Sequence, residues 1–263
     1  FEPGKTNTIF ASDPGSRRVI TQGDALNTIG INTDPNFETS TNKDNGFSTQ
    51  DITVTTRDPE TGNVTQETVN INNANTSARA IADSLGNATG VNTTAYTEIR
   101  LTDFNVDNAK LMVAVGGETS TLDIAGSLEP DSLEQAIEDS DSFSALDLSV
   151  INDGGGVTLR DDTGRDISVN LESGSPTGPP DPILVEKINP YEESVATSQT
   201  LSVAGDDFLT VGGVIDAELA EGVRLSANND NVFNSAPVSE TNYKGFQFEI
   251  SGSPERGDRF RIL

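Results

Sequence analysis

Near the end of the chain, Phe246, Phe248 and Ile250 alternate with polar residues, and Phe260 and Ile262 answer them across the interval SGSPERGD at residues 251–258. Period-two alternation puts such apolar side chains on one face of a strand. Gly252 and Gly257 tolerate positive φ, and Pro254 pre-sets φ at a turn corner. The segment therefore predicts a β-hairpin of residues 246–250 with residues 260–262, specified by local sequence alone.

The rest of the chain has the same character. Thr, Asn, Ser, Asp and Gly dominate it, and only two short stretches carry helical periodicity. In residues 77–85, Ala78, Ile81, Ala82 and Leu85 recur at i, i+3, i+4 and i+7. Asn75 or Thr76 is placed to cap the start, and Gly86 to end the helix in a left-handed conformation. The second helix is predicted over residues 131–138, after Pro130, with Leu133, Ala136 and Ile137 inward and Asp131 and Glu134 spaced as a capping box. Strands are expected around residues 19–20, 29–31, 52–56, 64–71, 95–101, 121–124, 146–151, 157–159, 167–171, 201–203, 208–211, 214–215 and 223–225. The expected class is mainly β with two short helices, an α+β chain of antiparallel sheets.

Composition removes many functions. The chain has 263 residues, no Cys and no His. Disulfides, thiolate or imidazole metal ligands, a cysteine nucleophile and every Ser-His-Asp order are therefore excluded. Lys and Arg total 16 against 42 Asp and Glu, a formal charge of -26. Phosphate neutralisation needs clustered cations, so no nucleic-acid partner is expected. No apolar run approaches the roughly 20 residues that cross a bilayer, and no basic-then-apolar leader opens the chain, so no membrane partner is expected.

Acidic clusters are the remaining candidates for chemistry. Asp103, Asn105 and Asp107 match the start of a D-x-N-x-D calcium loop, but Asn108 stands where glycine is needed and Ala114 where a bidentate glutamate is needed. Asp153, Asp161, Asp162 and Asp166 gather around two turns, where a solvated turn is the simpler reading. With no Trp and three Tyr, sugar-stacking platforms are scarce, and no carboxylate pair stands out for glycoside hydrolysis. No residue is assigned as catalytic, cofactor-binding or metal-binding, and no enzyme activity is expected. Arg256, Arg259 and Arg261 bunch near the end of the chain, where cross-strand pairing with Glu249 or Glu255 accounts for them.

The pattern Gly-aromatic-x-aromatic-x-Ile-Ser-Gly-x-Pro-x-x-Gly-Asp-x-Phe-x-Ile, running from Gly245 to Ile262, resembles the hairpin at the end of the outer domains in bacterial flagellar hook-associated proteins and some flagellins. TVNINNANTSARAIADSLGNATGV, residues 68–91, is similar to a short module inserted in such outer domains, and residues 132–164 repeat its layout more loosely. The resemblance implies a structural, extracellular part of the bacterial flagellum at the hook-filament junction, partnered by other flagellar subunits through terminal helices missing here, the fragment itself being monomeric. The competing expectation is an extracellular adhesin or calcium-stabilised β module.

GSPTGPPDP at residues 174–182 holds four prolines and two glycines in nine residues and reads as a linker. Residues 1–48 and 183–263 are accordingly expected to form one discontinuous β domain, with residues 49–173 inserted as an α+β domain.

Overall fold

The computed structural model describes residues 7–10, 17–33, 37, 43–58, 60–104, 109–123, 129–173, 182–190, 194–202, 208–233, 239–243, 246–250 and 259–262. It is mainly β. The strands are β1 (Asn7–Phe10), β2 (Arg17–Ile20), β3 (Gly30–Asn32), β4 (Gln50–Arg57), β5 (Val64–Ile71), β6 (Val91–Thr102), β7 (Ala109–Val115), β8 (Glu118–Asp123), β9 (Ser149–Asn152) and β10 (Val157–Asp161). They continue as β11 (Ile167–Ser173), β12 (Ile183–Ile188), β13 (Val195–Leu201), β14 (Phe208–Val211), β15 (Val214–Leu219), β16 (Val223–Ala227), β17 (Ser239–Tyr243), β18 (Phe246–Ile250) and β19 (Arg259–Ile262). The helices are α1 (Ala78–Gly86), α2 (Pro130–Glu138) and the single turn α3 (Asp141–Ser144). Every ladder among the described residues is antiparallel. None of these helices is long and apolar enough to cross a membrane.

Two apolar cores organise the molecule. The first gathers Ile52 and Val54 of β4, Ile81 and Leu85 of α1, Ile215 and Leu219 of β15, and Phe47 and Phe233. The second gathers Leu111 and Val113 of β7, Leu133 of α2, Phe143 of α3, Val157 and Leu159 of β10, Val169 of β11 and Val185 of β12. Strand β6 belongs to both. Its odd-numbered residues turn inward, with Val91 and Ala95 in the first core and Ile99 and Leu101 in the second. Twelve residues at strand rise reach roughly 36 Å, enough to thread two lobes. Its N-terminal half pairs with β15, and its C-terminal half pairs with β10 and β12.

The chain also crosses between the lobes at Gly212-Gly213, which join β14 to β15. A Cβ on Gly213 would lie 2.4 Å from Thr97 Oγ1 and 2.5 Å from the Tyr96 carbonyl oxygen. Backbone can pass so close to β6 there only because no side chain intervenes.

Ladders also cross the boundaries anticipated between an inserted domain and its host. Strand β4 pairs with β16, β6 with β12 and β15, and β11 with β14. Residues before 49 likewise pair with the later part of the chain, β2 with β15 and β17, and β3 with β14. The linker 174–182 lies outside the described residues except for Pro182.

The hairpin expected between residues 246–250 and 260–262 is not formed. Strand β18 pairs with β17, Tyr243 opposite Phe246, and β19 pairs with β1, Asn7 opposite Ile262. Alternation determines which face a strand buries but not which neighbour it takes. Two residues separate β17 from β18 and eight separate β18 from β19, so the shorter closure wins. The interval 251–258 lies outside the described residues.

Helix α1 begins one residue later than the caps proposed for it. Ser77 is the N-cap, and its Oγ accepts from the Ala80 N–H at 3.4 Å. Gly86 stays helical, and the left-handed position falls on Gly90, φ 78°. At α2 the reciprocal bond runs from the Glu129 N–H to Ser132 Oγ at 2.8 Å instead of joining Asp131 and Glu134, because Pro130 occupies the first helical position.

Candidate functional site

Where the two cores meet, polar side chains replace apolar ones. Strand β12 turns Ile183, Val185 and Lys187 inward by strict alternation, so Lys187 takes a core position and is 1 % exposed. Its Nζ donates to the Ala25 carbonyl at 2.7 Å, linking β12 to the 3₁₀ turn Asp24–Asn27, whose Ala25 belongs to the first core. Asn45, fully buried, donates from Nδ2 to Asp166 Oδ2 at 2.9 Å and accepts the Phe47 N–H at 2.9 Å. Asp166 Oδ1 is sealed from solvent with no hydrogen-bond partner. Close to these, Asn32 Nδ2 donates to Thr210 Oγ1 at 3.1 Å, and Thr210 and Ser168 share a hydroxyl contact of 2.9 Å.

Burial sets the charge state of this seam. It pulls the Lys187 ammonium down to about 7, against the attraction of Asp166. It pushes the Asp166 carboxyl up to about 6, against the Asn45 hydrogen bond and the positive charges of Lys187 and Lys43. Burial also lowers Lys43, which lies 4.6 Å from the Phe37 ring centroid. A lysine that loses its proton near neutrality is chemically a nucleophile. Beside Lys187, Tyr96, Glu98, Pro190 and Gly212 line a cavity of about 20 Å³. That is room for one water molecule and no substrate.

On the opposite face of β6, the even-numbered residues carry an ionic ladder. Arg160 of β10 lies 4.2 Å above the Tyr96 ring and donates to Glu98 Oε2 at 2.8 Å and to Asp162 Oδ1 at 2.6 Å. Arg100 donates to Glu186 Oε2 at 3.2 Å and to Asp153 Oδ1 at 2.9 Å. Arg18 of β2 pairs with Asp216 of β15. Solvent screens the exposed pairs, so each adds little by itself, and the ladder matters through register.

The four aspartates grouped around two turns in sequence are held by separate partners. Asp153 is engaged by Arg100 and the Gly155 and Gly156 N–H groups, and Asp162 by Arg160. Asp166 belongs to the seam. Asp161 is fully buried and accepts from the Thr163 N–H at 2.9 Å, Thr163 Oγ1 at 2.8 Å, the Arg165 N–H at 2.9 Å and Arg165 Nε at 2.9 Å. Burial alone would raise its carboxyl, but the Arg165 and Thr163 donors outweigh that and hold it below the usual range. Asp161→Asn replaces an acceptor oxygen with a donor facing donors. The expected loss is about 1–3 kcal/mol in urea denaturation at neutral pH.

Among the described residues no group of three or more acidic side chains is arranged to hold a metal ion. Asp103 sits exposed at φ 53°, Ala114 is buried in β7, and positions 105–108 lie outside the described residues. In the backbone register, Arg259 and Arg261 lie opposite Phe10 and Thr8 in the β1–β19 ladder, and Glu249 lies opposite Glu240 in the β17–β18 ladder. The expected cross-strand arrangement of these arginines with Glu249 is not formed, because β18 and β19 are not paired with each other; Arg256 and Glu255 lie outside the described residues.

Sequence reasoning missed Lys187 and Asn45. The signal for Lys187 was present, since it continues the i, i+2, i+4 series of Ile183 and Val185. Compared with known proteins, the chain matches no family model and no curated protein at a significant level.

Proposed function

We propose that this chain is a structural component of the bacterial flagellum, the surface-exposed outer domains of a hook-filament junction protein that assembles through helices elsewhere in the polypeptide. The observation that carries this reading is the antiparallel pairing of β1 with β19, which sets Asn7 opposite Ile262. A two-lobed body whose chain enters and leaves through one strand pair suits a module projecting from the wall of a tube. The helix module around Ser77 and, as sequence alone since its two strands do not pair with each other, the Gly245 to Ile262 motif supply the link to flagellar outer domains. The role is mechanical, to fill the outer radius of the junction and present an acidic, hydrated surface. Its location is extracellular.

Antibody raised against residues 1–263 and visualised by immunogold on intact cells tests the reading. Gold confined to the hook-filament junction is expected. Gold spread over the cell body with bare flagella would overturn it and favour an adhesin.

A further inference from the structure

Of all the asparagines in the chain, only Asn45 is followed by glycine. Such a pair is prone to self-modification, because no β-carbon on the second residue hinders its backbone nitrogen from reaching the asparagine side chain. The fold demands the pair and buries it. A Cβ on Gly46 would lie 2.8 Å from Thr28 Cβ, at a φ of 85°, so residue 46 must be glycine. Asn45 is fully buried and held at both ends of its amide. Its Nδ2 donates to Asp166 Oδ2 at 2.9 Å and to the Thr76 carbonyl at 3.4 Å, and its Oδ1 accepts the Phe47 N–H at 2.9 Å. The Gly46 N–H donates to Asp44 Oδ1 at 3.0 Å, and the Gly46 carbonyl accepts from Asn231 Nδ2 at 3.0 Å.

We propose that Asn45-Gly46 is a self-modification site gated by the fold, silent in the native chain and, in the unfolded chain, converting Asn45 to aspartate or isoaspartate, after which the seam cannot re-form. In the unfolded chain the Gly46 nitrogen gives its proton to solvent and bonds to Asn45 Cγ. The Cγ–Nδ2 bond breaks, the departing nitrogen takes a proton from water and leaves as ammonia, and a succinimide ring is closed. Water then opens the ring at either carbonyl, leaving a carboxylate on the ordinary backbone or on one lengthened by the Cβ; no oxidant or reductant takes part. In the native chain closure expels Nδ2 and so loses its bonds to Asp166 and Thr76, and ring opening needs water where Asn45 exposes no surface. After conversion an acceptor oxygen faces two acceptors, Asp166 Oδ2 and the Thr76 carbonyl, beside an Asp166 Oδ1 that already has no partner. The cations that act on Asp166 are engaged elsewhere, Lys187 with the Ala25 carbonyl and Lys43 over the Phe37 and Phe208 rings. This site stands independently of the flagellar reading.

Wild-type chain is held for days at pH 8 in buffer and in denaturing guanidinium chloride, and at pH 5 in the same denaturant, and residue 45 is followed by peptide mapping with mass spectrometry. Conversion is expected in denaturant at pH 8 and at least about a hundredfold slower in buffer, where it waits on opening of the fold. The pH 5 sample, unfolded for as long, is expected to keep Asn45, because the Gly46 nitrogen retains its proton there. Each sample is then diluted into buffer and its refolded monomer isolated by size exclusion. The pH 5 sample is expected to refold, and the pH 8 sample to lose refolding yield in step with conversion, its refolded monomer carrying intact Asn45. Asn45→Asp tests the block without the chemistry, with a lowered denaturation midpoint at neutral pH expected. Conversion in buffer as fast as in denaturant overturns the proposal, as does converted residue 45 in the refolded monomer at its share of the whole sample, or an Asn45→Asp chain as stable as wild type.

Discussion

Ile99→Ala is expected to cost about 2–5 kcal/mol and to lower hydrogen-exchange protection in both lobes, although Ile99 touches only one core. The side chain is fully buried in the second core, and its strand pairs there with β10 on one edge and β12 on the other. Four residues earlier the same strand supplies Ala95 to the first core, where α1 packs across β6 and β15. Loss of packing at Ile99 loosens the register of β6, and the registers of β15 and α1 depend on it. Exchange at α1 and α2 measured together is the decisive readout. Protection lost at α2 with α1 unchanged would show that the lobes open independently.

The second large effect is a pH profile. Lys187 is pulled from the ordinary 10.5 to about 7 in the folded chain, and Asp166 is pushed from 3.8 to about 6. Between pH 7 and 10.5 the unfolded chain binds more protons at this lysine than the native one, so its burden on stability shrinks as pH rises. Between pH 3.8 and 6 the native chain binds more protons at the aspartate, so that burden shrinks as pH falls. The seam is thus costliest between about 6 and 7, where both groups are largely charged and separated by more than a direct ion pair. Subtracting the profile of Lys187→Met from that of the wild type should reveal a gain of about 2 kcal/mol from pH 7 to pH 9. The same subtraction with Asp166→Asn should reveal a gain of about 2 kcal/mol from pH 6 to pH 4. The double variant, with an apolar and an amide side chain in place of two buried charges, is expected to be at least as stable as wild type at neutral pH. Chemical denaturation at the four pH values measures all three. A flat difference for Lys187→Met would mean that the amine stays protonated throughout.

Local features were legible in the sequence and partner choices were not. Helix α1 buries Ala78, Ile81, Ala82 and Leu85, the four residues its periodicity selects. The β4–β5 hairpin forms around the turn at Asp58, whose Oδ1 accepts the Glu60 and Thr61 N–H groups. Strand β7 went unread, because Leu111 to Val115 form a continuous apolar run whose alternation is invisible when both faces are covered. The terminal strands were read correctly as strands and wrongly as a pair, since pairing across the whole chain leaves no mark in a local window. The seam was hidden for a related reason. Lys187, Asn45 and Asp166 come from three distant segments, and only the meeting of two cores makes neighbours of them.

With Asn7 across from Ile262, force that separates β1 from β19 at that end breaks the four paired positions of their ladder one at a time, the geometry of unzipping and not of shear.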